Sequence, residues 1–448
     1  MHPDRMRLID RWLGSLLCFL ASLLRQVWSW LAPTSLASPR ELKRILFIGI
    51  AETGALVLAH PALQWTRQRY PNAEIAFLSF RAGRGVLNLL GFDPACQQIL
   101  LRSAPWYVFA WDTLKTIVRL RQCRFDATIN LEVYTRFSTL LAFLSGAPVR
   151  VGFYRFFEEG HYLGELITHR VIYNPHQAIG YSYLSLAKAL AEPPGRDPLV
   201  KIPLGVGEPL ERLQVRCSDD NKKRMWATIE RLYPSLTAEH HLVILNANAS
   251  DLIPARRWPS DRFIHLGQRL LAERPKSVIL LTGSPAERAA LERLRLQLAD
   301  PRVINMAGET TLETLIDLYA ISHLMVTNDS GPVHFSSITD IPLLALFGPE
   351  TPRLFGPVSP YARVIYRSLA CSPCVSVYNQ KRSPCTDNRC MQEISVDEVF
   401  AHACSLLGSG AIPTDGGFTD AKIEKMVPYT GQSVEDRLEP LPIPGSPT

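Results

Sequence analysis

The chain has 448 residues, of which 47% are hydrophobic and 20% are charged, and its formal net charge is +6 at pH 7. This composition is that of a globular protein with room for two domains, and it excludes a fibrous or wholly disordered chain. No basic stretch is dense enough to indicate a nucleic-acid partner, whereas the mild positive charge fits an anionic ligand or membrane surface. The odd number of cysteines, nine, indicates a reducing compartment rather than a disulfide framework.

The first 32 residues predict an amphipathic helix. Apolar residues recur at helical spacing from Ile9 to Leu31, and polar residues occupy the opposite face. The uncharged part, Trp12 to Leu24, is shorter than the ~20 residues that a membrane-spanning helix needs. Trp28 and Trp30 are of the residue type favoured at membrane interfaces. We therefore expect a helix that lies in the cytoplasmic surface of the membrane; a true span and a helix packed on the globular body or on another subunit are the alternatives.

Two series of alternating strands and helices follow a linker at residues 33–39. The alternation predicts parallel sheets with helices on both faces. The predicted strands are residues 44–49, 73–80, 98–102, 127–131 and 150–153 in the first series, and 242–246, 277–281, 303–306, 324–327, 343–347 and 363–366 in the second. Helices are predicted at residues 56–70, 111–121, 138–144, 218–232 and 396–407, and we expect Pro61 to kink or interrupt the first of them.

These elements divide the chain into five parts. Residues 1–40 form the N-terminal helix and linker, 41–205 the first α/β domain, and 206–240 a helical connector. Residues 241–407 form the second α/β domain, and 408–448 read as a disordered tail, because glycine, proline, threonine and charged residues dominate there.

The segment from Thr327 to His334 predicts a phosphate-binding turn. A strand ends there, and Asp329 and Ser330 are residue types that cap a helix. Gly331 permits close approach of a ligand to the backbone. The N–H groups and positive dipole end of the following helix suit a phosphate. Ligands of open α/β sheets also bind at the carboxyl ends of strands, and His334 lies one turn further along, on the face that looks back toward the turn.

This segment resembles the nucleotide-sugar site of glycosyltransferase family 9, the lipopolysaccharide heptosyltransferases. The resemblance rests on Asp329-Ser330-Gly331 with His334, and on a second turn, Phe347-Gly348-Pro349 with Thr351. It implies an α/β protein of the GT-B architecture, in which two Rossmann-like, doubly wound parallel-sheet domains face a cleft. It also implies an inverting transferase that moves a sugar, with heptose as the candidate, from a nucleotide-diphosphate donor to a lipopolysaccharide or other lipid-linked envelope glycan. Such an enzyme would work as a peripheral protein at the cytoplasmic side of the inner membrane.

The resemblance also assigns donor-binding residues. The family holds the donor diphosphate with a small polar loop and a basic residue before Trp-Pro, which correspond by position to Ser250 and to Arg256 or Arg257. Gly283 and Glu287 follow a strand end that suits the nucleoside. The alternatives are a solvated pair of surface arginines and an ordinary first-turn glutamate.

The sequence also indicates which groups stabilise the negative charge of the departing diphosphate. No Asp-x-Asp motif of the metal-dependent glycosyltransferases is present. We therefore expect no divalent metal at the reacting centre, and instead expect backbone amides, the helix dipole and arginine to stabilise the leaving group.

The match fails at the residue expected to be the catalytic base. An inverting transfer needs a base that takes the proton of the attacking hydroxyl, and the family places an aspartate after the glycine of the first turn. Here Gly54 is followed by Ala55. We assign the role to Glu52, two residues before Gly54; Glu132 and His161 are alternatives.

Gly54 and Arg136 match acceptor-side positions of the family. Arg136 is expected to meet an anionic acceptor, and the alternative is a surface arginine near a helix end. The missing aspartate keeps a second function open, namely a catalytically degenerate sugar-nucleotide-binding or scaffold protein of the same fold. A GT-B-fold sugar-nucleotide epimerase is a third, although no carboxylate pair for it is evident.

Four cysteines lie close together in a loop of the second domain: Cys371, Cys374, Cys385 and Cys390. Two closely spaced pairs can surround one tetrahedral zinc ion, and the same ligands suit an iron–sulfur cluster. We predict a structural role for such a metal, since no histidine or carboxylate supplies an open catalytic position. Disulfides and free thiols are the alternatives.

Overall fold

The computed structural model describes residues 8–31, 41–50, 53–194, 210–249 and 253–408, and the isolated residues 198, 200, 201, 203 and 204. Its described part contains two six-stranded sheets. All neighbouring strands are parallel. The predicted α/β fold with two doubly wound sheets is thus confirmed. The boundaries predicted between domains stay predictions, and the tail from residue 409 onward lies outside the described residues.

The first sheet has the strand order β3-β2-β1-β4-β5-β6. Its strands are β1 Arg44–Ile48, β2 Glu74–Phe80, β3 Gln98–Leu101, β4 Ala127–Asn130, β5 Val149–Phe153 and β6 His169–Val171. In β1 every residue after Arg44 is buried, as expected of a central strand covered on both faces. The strand order reverses direction between β1 and β4, so a crevice opens at the carboxyl ends of these two strands.

The second sheet repeats the pattern, with the order β12-β11-β10-β7-β8-β9. Its strands are β7 His241–Asn246, β8 Ser277–Leu281, β9 Val303–Asn305, β10 Leu324–Asn328, β11 Leu343–Phe347 and β12 Ala362–Tyr366. Here the order reverses between β7 and β10, which places the corresponding crevice beside the loops that follow those strands.

Helices cover both sheets. They are α1 Ser15–Leu31, α2 His60–Arg69, α3 Arg84–Leu89, α4 Trp106–Cys123, α5 Arg136–Leu144, α6 Ile179–Lys188, α7 Asp219–Leu232, α8 Ser260–Glu273, α9 Arg288–Leu298, α10 Leu312–Ile321, α11 Gly331–Ser336, α12 Pro352–Phe355, α13 Arg389–Gln392 and α14 Val396–Gly408. One π-helical turn, Asp10–Gly14, precedes α1.

The expectation about Pro61 was wrong. A 3-10 segment, Thr53–Ala59, precedes α2, and the proline falls in the first turn of that helix. A backbone N–H in the first turn of a helix has no partner within the helix, so the proline is tolerated there and does not kink the helix. Helix α4 also begins at Trp106, earlier than predicted, and the short elements α3 and β6 were not predicted.

The N-terminal helix packs on the first domain through its small and polar residues. Cys18 and Ala21 are buried, and the Ser22 hydroxyl oxygen accepts a hydrogen bond from the backbone N–H of Glu165 at 2.8 Å. Gly164, with φ of 68°, lies against the same helix, where a Cβ atom would come within 2.6 Å of the Cys18 carbonyl oxygen. The large apolar side chains of the helix consequently face outward.

The two domains meet at a contact between two glycine backbones. Gly54 lies in the 3-10 segment after β1, and Gly331 begins α11 after β10. A Cβ atom added to Gly54 would lie 2.8 Å from the Cα atom of Gly331. One hydrophobic cluster also includes buried residues of both sheets, among them Phe47 of β1 and Ala345 of β11, so the contact is part of a continuous interface.

We predict that Gly54→Ala lowers the free energy of unfolding by about 1–3 kcal/mol, because only a shift of backbone makes room for the added methyl group. Chemical denaturation measures the change. Gly331→Ala is the matched control, since its Cβ would meet the Phe335 ring at an ordinary distance of 3.5 Å, and a change within about 0.5 kcal/mol is expected. Equal losses in the two variants would contradict the close approach.

Candidate active site

The candidate site lies where the crevices of the two sheets face each other. The loops after β7 and β10 flank the crevice of the second sheet, and those after β1 and β4 flank that of the first. Because Gly54 follows β1 and Gly331 follows β10, the glycine contact brings the two sets of loops together. Residues from both domains therefore surround one cleft.

The predicted strand–turn–helix at Thr327 to His334 is confirmed. Strand β10 ends at Asn328, Ser330 is the N-cap residue, and α11 begins at Gly331. The Asn328 side-chain amide donates to the carbonyl oxygen of Ala247 at 3.0 Å, and its oxygen accepts from the Trp258 backbone N–H at 2.9 Å. This asparagine fixes the loop after β7 against the turn after β10.

A buried cluster of charges lies at the mouth of this turn. The Arg256 Nε atom is 3.1 Å from Oδ2 of Asp329, and its Nη2 atom is 3.2 Å from Oε2 of Glu350. Lys381 Nζ approaches the same Glu350 oxygen at 3.9 Å. The side chains of Asp329 and Glu350 are only 4% and 1% exposed, against 16% for Arg256. Buried carboxylates need paired cations, so the two acids hold Arg256 in place at the crevice.

Glu350 and Lys381 were not predicted as site residues. Glu350 belongs to the turn that follows β11, and Lys381 belongs to the cysteine-bearing loop. The sequence contained one indication of Glu350 as a site residue, namely a carboxylate inside the Gly-Pro-Glu-Thr-Pro turn at the carboxyl end of a strand. Its partner Arg256 is 94 positions away in the sequence, and no local pattern shows that pairing.

The other predicted donor residues occupy the rim. Arg257 donates through Nη2 to the carbonyl oxygen of Ala249 at 2.7 Å, so it braces the loop after β7; Ser250 lies outside the described residues. Gly283 lies beside Asn248 of that loop. The carboxylate of Glu287 accepts from the backbone and the hydroxyl of Ser284, both at 2.7 Å.

Glu287 therefore forms a capping box with Ser284, which agrees with the alternative stated from the sequence, an ordinary first-turn glutamate. His334 is buried in α11. The donor-binding roles of these residues stay predictions.

On the acceptor side, the predicted base Glu52 lies outside the described residues. Its alternative Glu132 follows β4 and accepts a hydrogen bond from the Ile50 backbone N–H, which joins the loops of the two strands at the crevice. Burial, together with the charge of Arg136, lowers the pKa of the other alternative, His161.

Arg136 is the first residue of α5. It is not a surface arginine, because its side chain is 8% exposed and its Nη1 atom lies 3.3 Å from Oδ2 of Asp10.

The four cysteines lie in one region, and burial, together with the neighbouring thiol groups, raises the pKa of Cys390 to about 11. The donor set suits zinc or an iron–sulfur cluster. However, within the described residues no three metal-ligating side chains are grouped for a metal, and all four thiols are free. Cys385, for instance, donates to the carbonyl oxygen of Asp387 at 2.9 Å. The structural metal stays a prediction, and a purified protein that lacks both zinc and iron would contradict it.

Comparison with known proteins agrees with this architecture. Residues 113–383 match the description of glycosyltransferase family 9 (heptosyltransferase), so the chain belongs to this family. It is 31% identical over 195 residues to lipopolysaccharide heptosyltransferase 2 of Salmonella typhimurium, a match that spans 42% of this chain and 54% of that protein. It is 27% identical to lipooligosaccharide heptosyltransferase 2 of Haemophilus ducreyi, over 72% of this chain and 88% of that protein.

A solved structure shows the same fold. The structure of the E. coli ADP-heptose lipopolysaccharide heptosyltransferase II superposes with a TM-score of 0.62 at 23% sequence identity, over 81% of this chain and 98% of that protein. The likeness at this identity concerns the arrangement of the two sheets.

Replacement of Arg256 by methionine should destabilise the protein by about 3–5 kcal/mol, because it leaves two buried carboxylates without their guanidinium partner. Thermal or urea unfolding measures this loss. Adding Glu350→Gln to that variant removes one of the two charges and should recover part of it. Arg257→Met is the matched control, for which we expect a loss of ~1 kcal/mol, since the hydrogen bond to the Ala249 carbonyl that it removes involves a neutral acceptor. A variant of Arg256 that is as stable as the control would refute the buried cluster.

Proposed function

We propose that the chain is an inverting glycosyltransferase that moves a heptose from a nucleotide-diphosphate donor to a lipopolysaccharide or other lipid-linked envelope glycan. ADP-heptose is the donor we favour, because the E. coli relative of the same fold is named for it. The observation that carries the proposal is the anchored guanidinium of Arg256 at the strand–turn–helix of the second sheet. Fixed cationic donors of this kind stabilise the charge that develops on a departing diphosphate.

The reaction requires one bond to form and one to break. The acceptor hydroxyl oxygen attacks the anomeric carbon, and the bond between that carbon and the diphosphate oxygen breaks with its electron pair going to the diphosphate. Arg256 and the backbone N–H groups at the start of α11 stabilise the negative charge that develops on the diphosphate. No divalent metal takes part in our proposal, since the sequence lacks an Asp-x-Asp motif.

Glu52 is our proposed base for the hydroxyl proton. The supporting observation is the position of Gly54, two residues further on, in contact with the first residue of α11. Gly54, two positions after Glu52 in the sequence, thus lies against the start of α11. The alternative function, a catalytically degenerate sugar-nucleotide-binding protein, is favoured by one feature, namely Ala55 where the family has its aspartate.

Glu52→Gln should lower the turnover number about 10²–10⁴-fold while donor affinity is unchanged, because the variant loses the proton acceptor and keeps the shape of the side chain. Release of ADP in the presence of acceptor measures turnover, and Glu158→Gln, an exposed glutamate of the same domain, is the control. Near-full turnover would exclude Glu52 as the base. Donor binding without transfer by the unaltered protein would establish the degenerate alternative.

We also propose that the protein is peripheral to the cytoplasmic side of the inner membrane. Within the described residues no helix has the length and hydropathy to cross a membrane. The N-terminal helix nevertheless exposes its large apolar residues, including Trp12 at 70%, Leu16 at 54% and Leu24 at 68%. A helix on the surface of a globular protein normally packs its apolar face against the core. Here the apolar face of the helix is exposed, which supports a contact with lipid.

A second exposed apolar stripe supports the same proposal. Helix α4 exposes Tyr107, Trp111, Leu114 and Val118, which recur at the spacing of one helical face. Exposed Lys115 and Arg119 flank the stripe. Aromatic residues combined with basic ones suit an anionic lipid surface. Both α1 and α4 pack against α5, so the two stripes belong to neighbouring helices.

The triple variant Trp12→Gln/Leu16→Gln/Leu20→Gln should reduce the fraction bound to phosphatidylglycerol-containing vesicles at least tenfold, since three interfacial apolar side chains are lost. Vesicle flotation measures the bound fraction. Leu296→Gln, which alters an equally exposed leucine on the second domain, is the control and should bind as before. A triple variant, or a protein without residues 1–32, that floats as well as the unaltered chain would disprove the membrane contact.

A further inference from the structure

The tip of the cysteine-bearing loop holds two consecutive residues in a left-handed backbone conformation. Gln380 and Lys381 both have a φ of 56°, a region that residues other than glycine adopt at a cost in free energy. Neither is an asparagine or an aspartate, which tolerate this conformation better than other side chains do. Such strain persists where the surrounding structure enforces it, and it is concentrated at functional sites. The side chains of the tip are therefore candidates for a function.

Hydrogen bonds within the loop enforce the conformation of the tip. The Asn379 side chain accepts from the Ser376 backbone N–H at 3.0 Å and donates to the Cys374 carbonyl oxygen at 2.8 Å. The Lys381 N–H donates to the carbonyl oxygen of Ser376 at 2.8 Å. The Cys374 N–H in turn donates to the carbonyl oxygen of Pro349 at 3.0 Å. The tip is thus fixed to the turn that follows β11.

The two strained residues contact different sides of the candidate site. Nε2 of Gln380 lies 3.4 Å from Nε2 of His161 in the first domain, whereas Nζ of Lys381 lies 3.9 Å from Oε2 of Glu350 in the second. The ammonium group also lies over the ring of Phe355, 4.2 Å from its centroid. The lysine side chain is only 16% exposed. A buried carboxylate and an aromatic ring therefore fix the position of its charge.

Lys381 and Arg256 share one oxygen atom of Glu350. This Oε2 atom is 3.2 Å from Nη2 of Arg256 and 3.9 Å from Nζ of Lys381, and the Glu350 side chain is 1% exposed. Charges interact strongly when they are this buried, so the attraction of the lysine for the carboxylate offsets part of the attraction that holds Arg256 to it. Arg256 is the group that we propose to stabilise the departing diphosphate. The charge of Lys381 therefore affects how far the guanidinium is available to a ligand.

We propose that Lys381 is a positioning residue for the nucleotide diphosphate and that it acts through Glu350 on Arg256. The inference rests on the proposed function and deepens it, because it adds a residue of the cysteine-bearing loop to the groups that determine donor affinity. Without the lysine charge, Glu350 binds Arg256 more strongly and withdraws it from the diphosphate. A lysine with a merely structural role would affect stability and leave the affinity of the folded protein for a diphosphate unchanged.

Calorimetric titration of the full chain with ADP tests the proposal. Lys381→Met removes the charge and keeps an unbranched side chain, and it should raise the Kd of ADP roughly fivefold to tenfold. Lys381→Arg retains a positive charge and should restore most of the affinity. Lys276→Met is the matched control, since it removes a lysine that pairs with the exposed Glu239 elsewhere in the second domain. This control should bind ADP as the unaltered chain does.

A double-mutant cycle tests the route through Glu350. Glu350→Gln removes the carboxylate charge that the two cations share, so adding Lys381→Met to it should change the Kd of ADP by less than about twofold. An equal rise in both backgrounds would overturn this route, because the lysine would then act on the diphosphate directly. If Glu350→Gln does not fold, the comparison of Lys381→Met with Lys381→Arg decides alone, and equal affinities in these two variants would overturn the inference.

Failure of this inference is distinguishable from failure of the proposed function. UDP and GDP are titrated beside ADP, and sugar transfer is assayed separately. A protein that binds one of these diphosphates in the expected Lys381-dependent way and transfers no sugar would overturn the proposed function and leave the role of Lys381 in place. Transfer by a protein whose Lys381→Met variant binds the diphosphate like the Lys276→Met control would overturn the inference alone. An unaltered chain that binds none of the three diphosphates would overturn both.

Discussion

The backbone contact between Gly54 and Gly331 is the constraint on which the arrangement of the site depends. Each glycine lies in the loop that leaves the central part of its own sheet. A side chain at Gly54 would clash with the backbone of Gly331, so the two loops approach this closely only because residue 54 is glycine. With the contact in place, the crevices of the two sheets face one cleft, which is the geometric requirement of the direct transfer that we propose.

Buried ion pairs lie close to this glycine contact and connect several loops. Asp329 and Glu350 hold Arg256 at the crevice of the second sheet, and Lys381 extends the cluster to the cysteine-bearing loop. The same loop lies against the first domain, where Tyr378 packs on Tyr134. One loop therefore joins the charge cluster of the second sheet to the first domain, a structural role that does not require a metal at its thiols.

Local patterns predicted the parts of the fold that local physics determines. The buried strands and the turn at Asp329 to Gly331 follow from apolar runs and capping residues, and both were found where the sequence placed them. Pairings over long separations were not predictable in this way. Asp10 and Arg136 are 126 positions apart, and the sequence showed Arg136 as an acceptor candidate without its partner. The amphipathic pattern of the N-terminal helix was likewise evident, but only the packing of Cys18 and Ala21 shows which face is turned outward.

A crystal structure of the protein soaked with ADP-heptose tests the central claim most directly. We predict that the diphosphate lies within about 3 Å of the Arg256 guanidinium and of the backbone N–H groups that begin α11. The sugar should then point toward the loop that contains Gly54. A diphosphate bound elsewhere, with the crevice between β7 and β10 filled by protein side chains, would contradict the account.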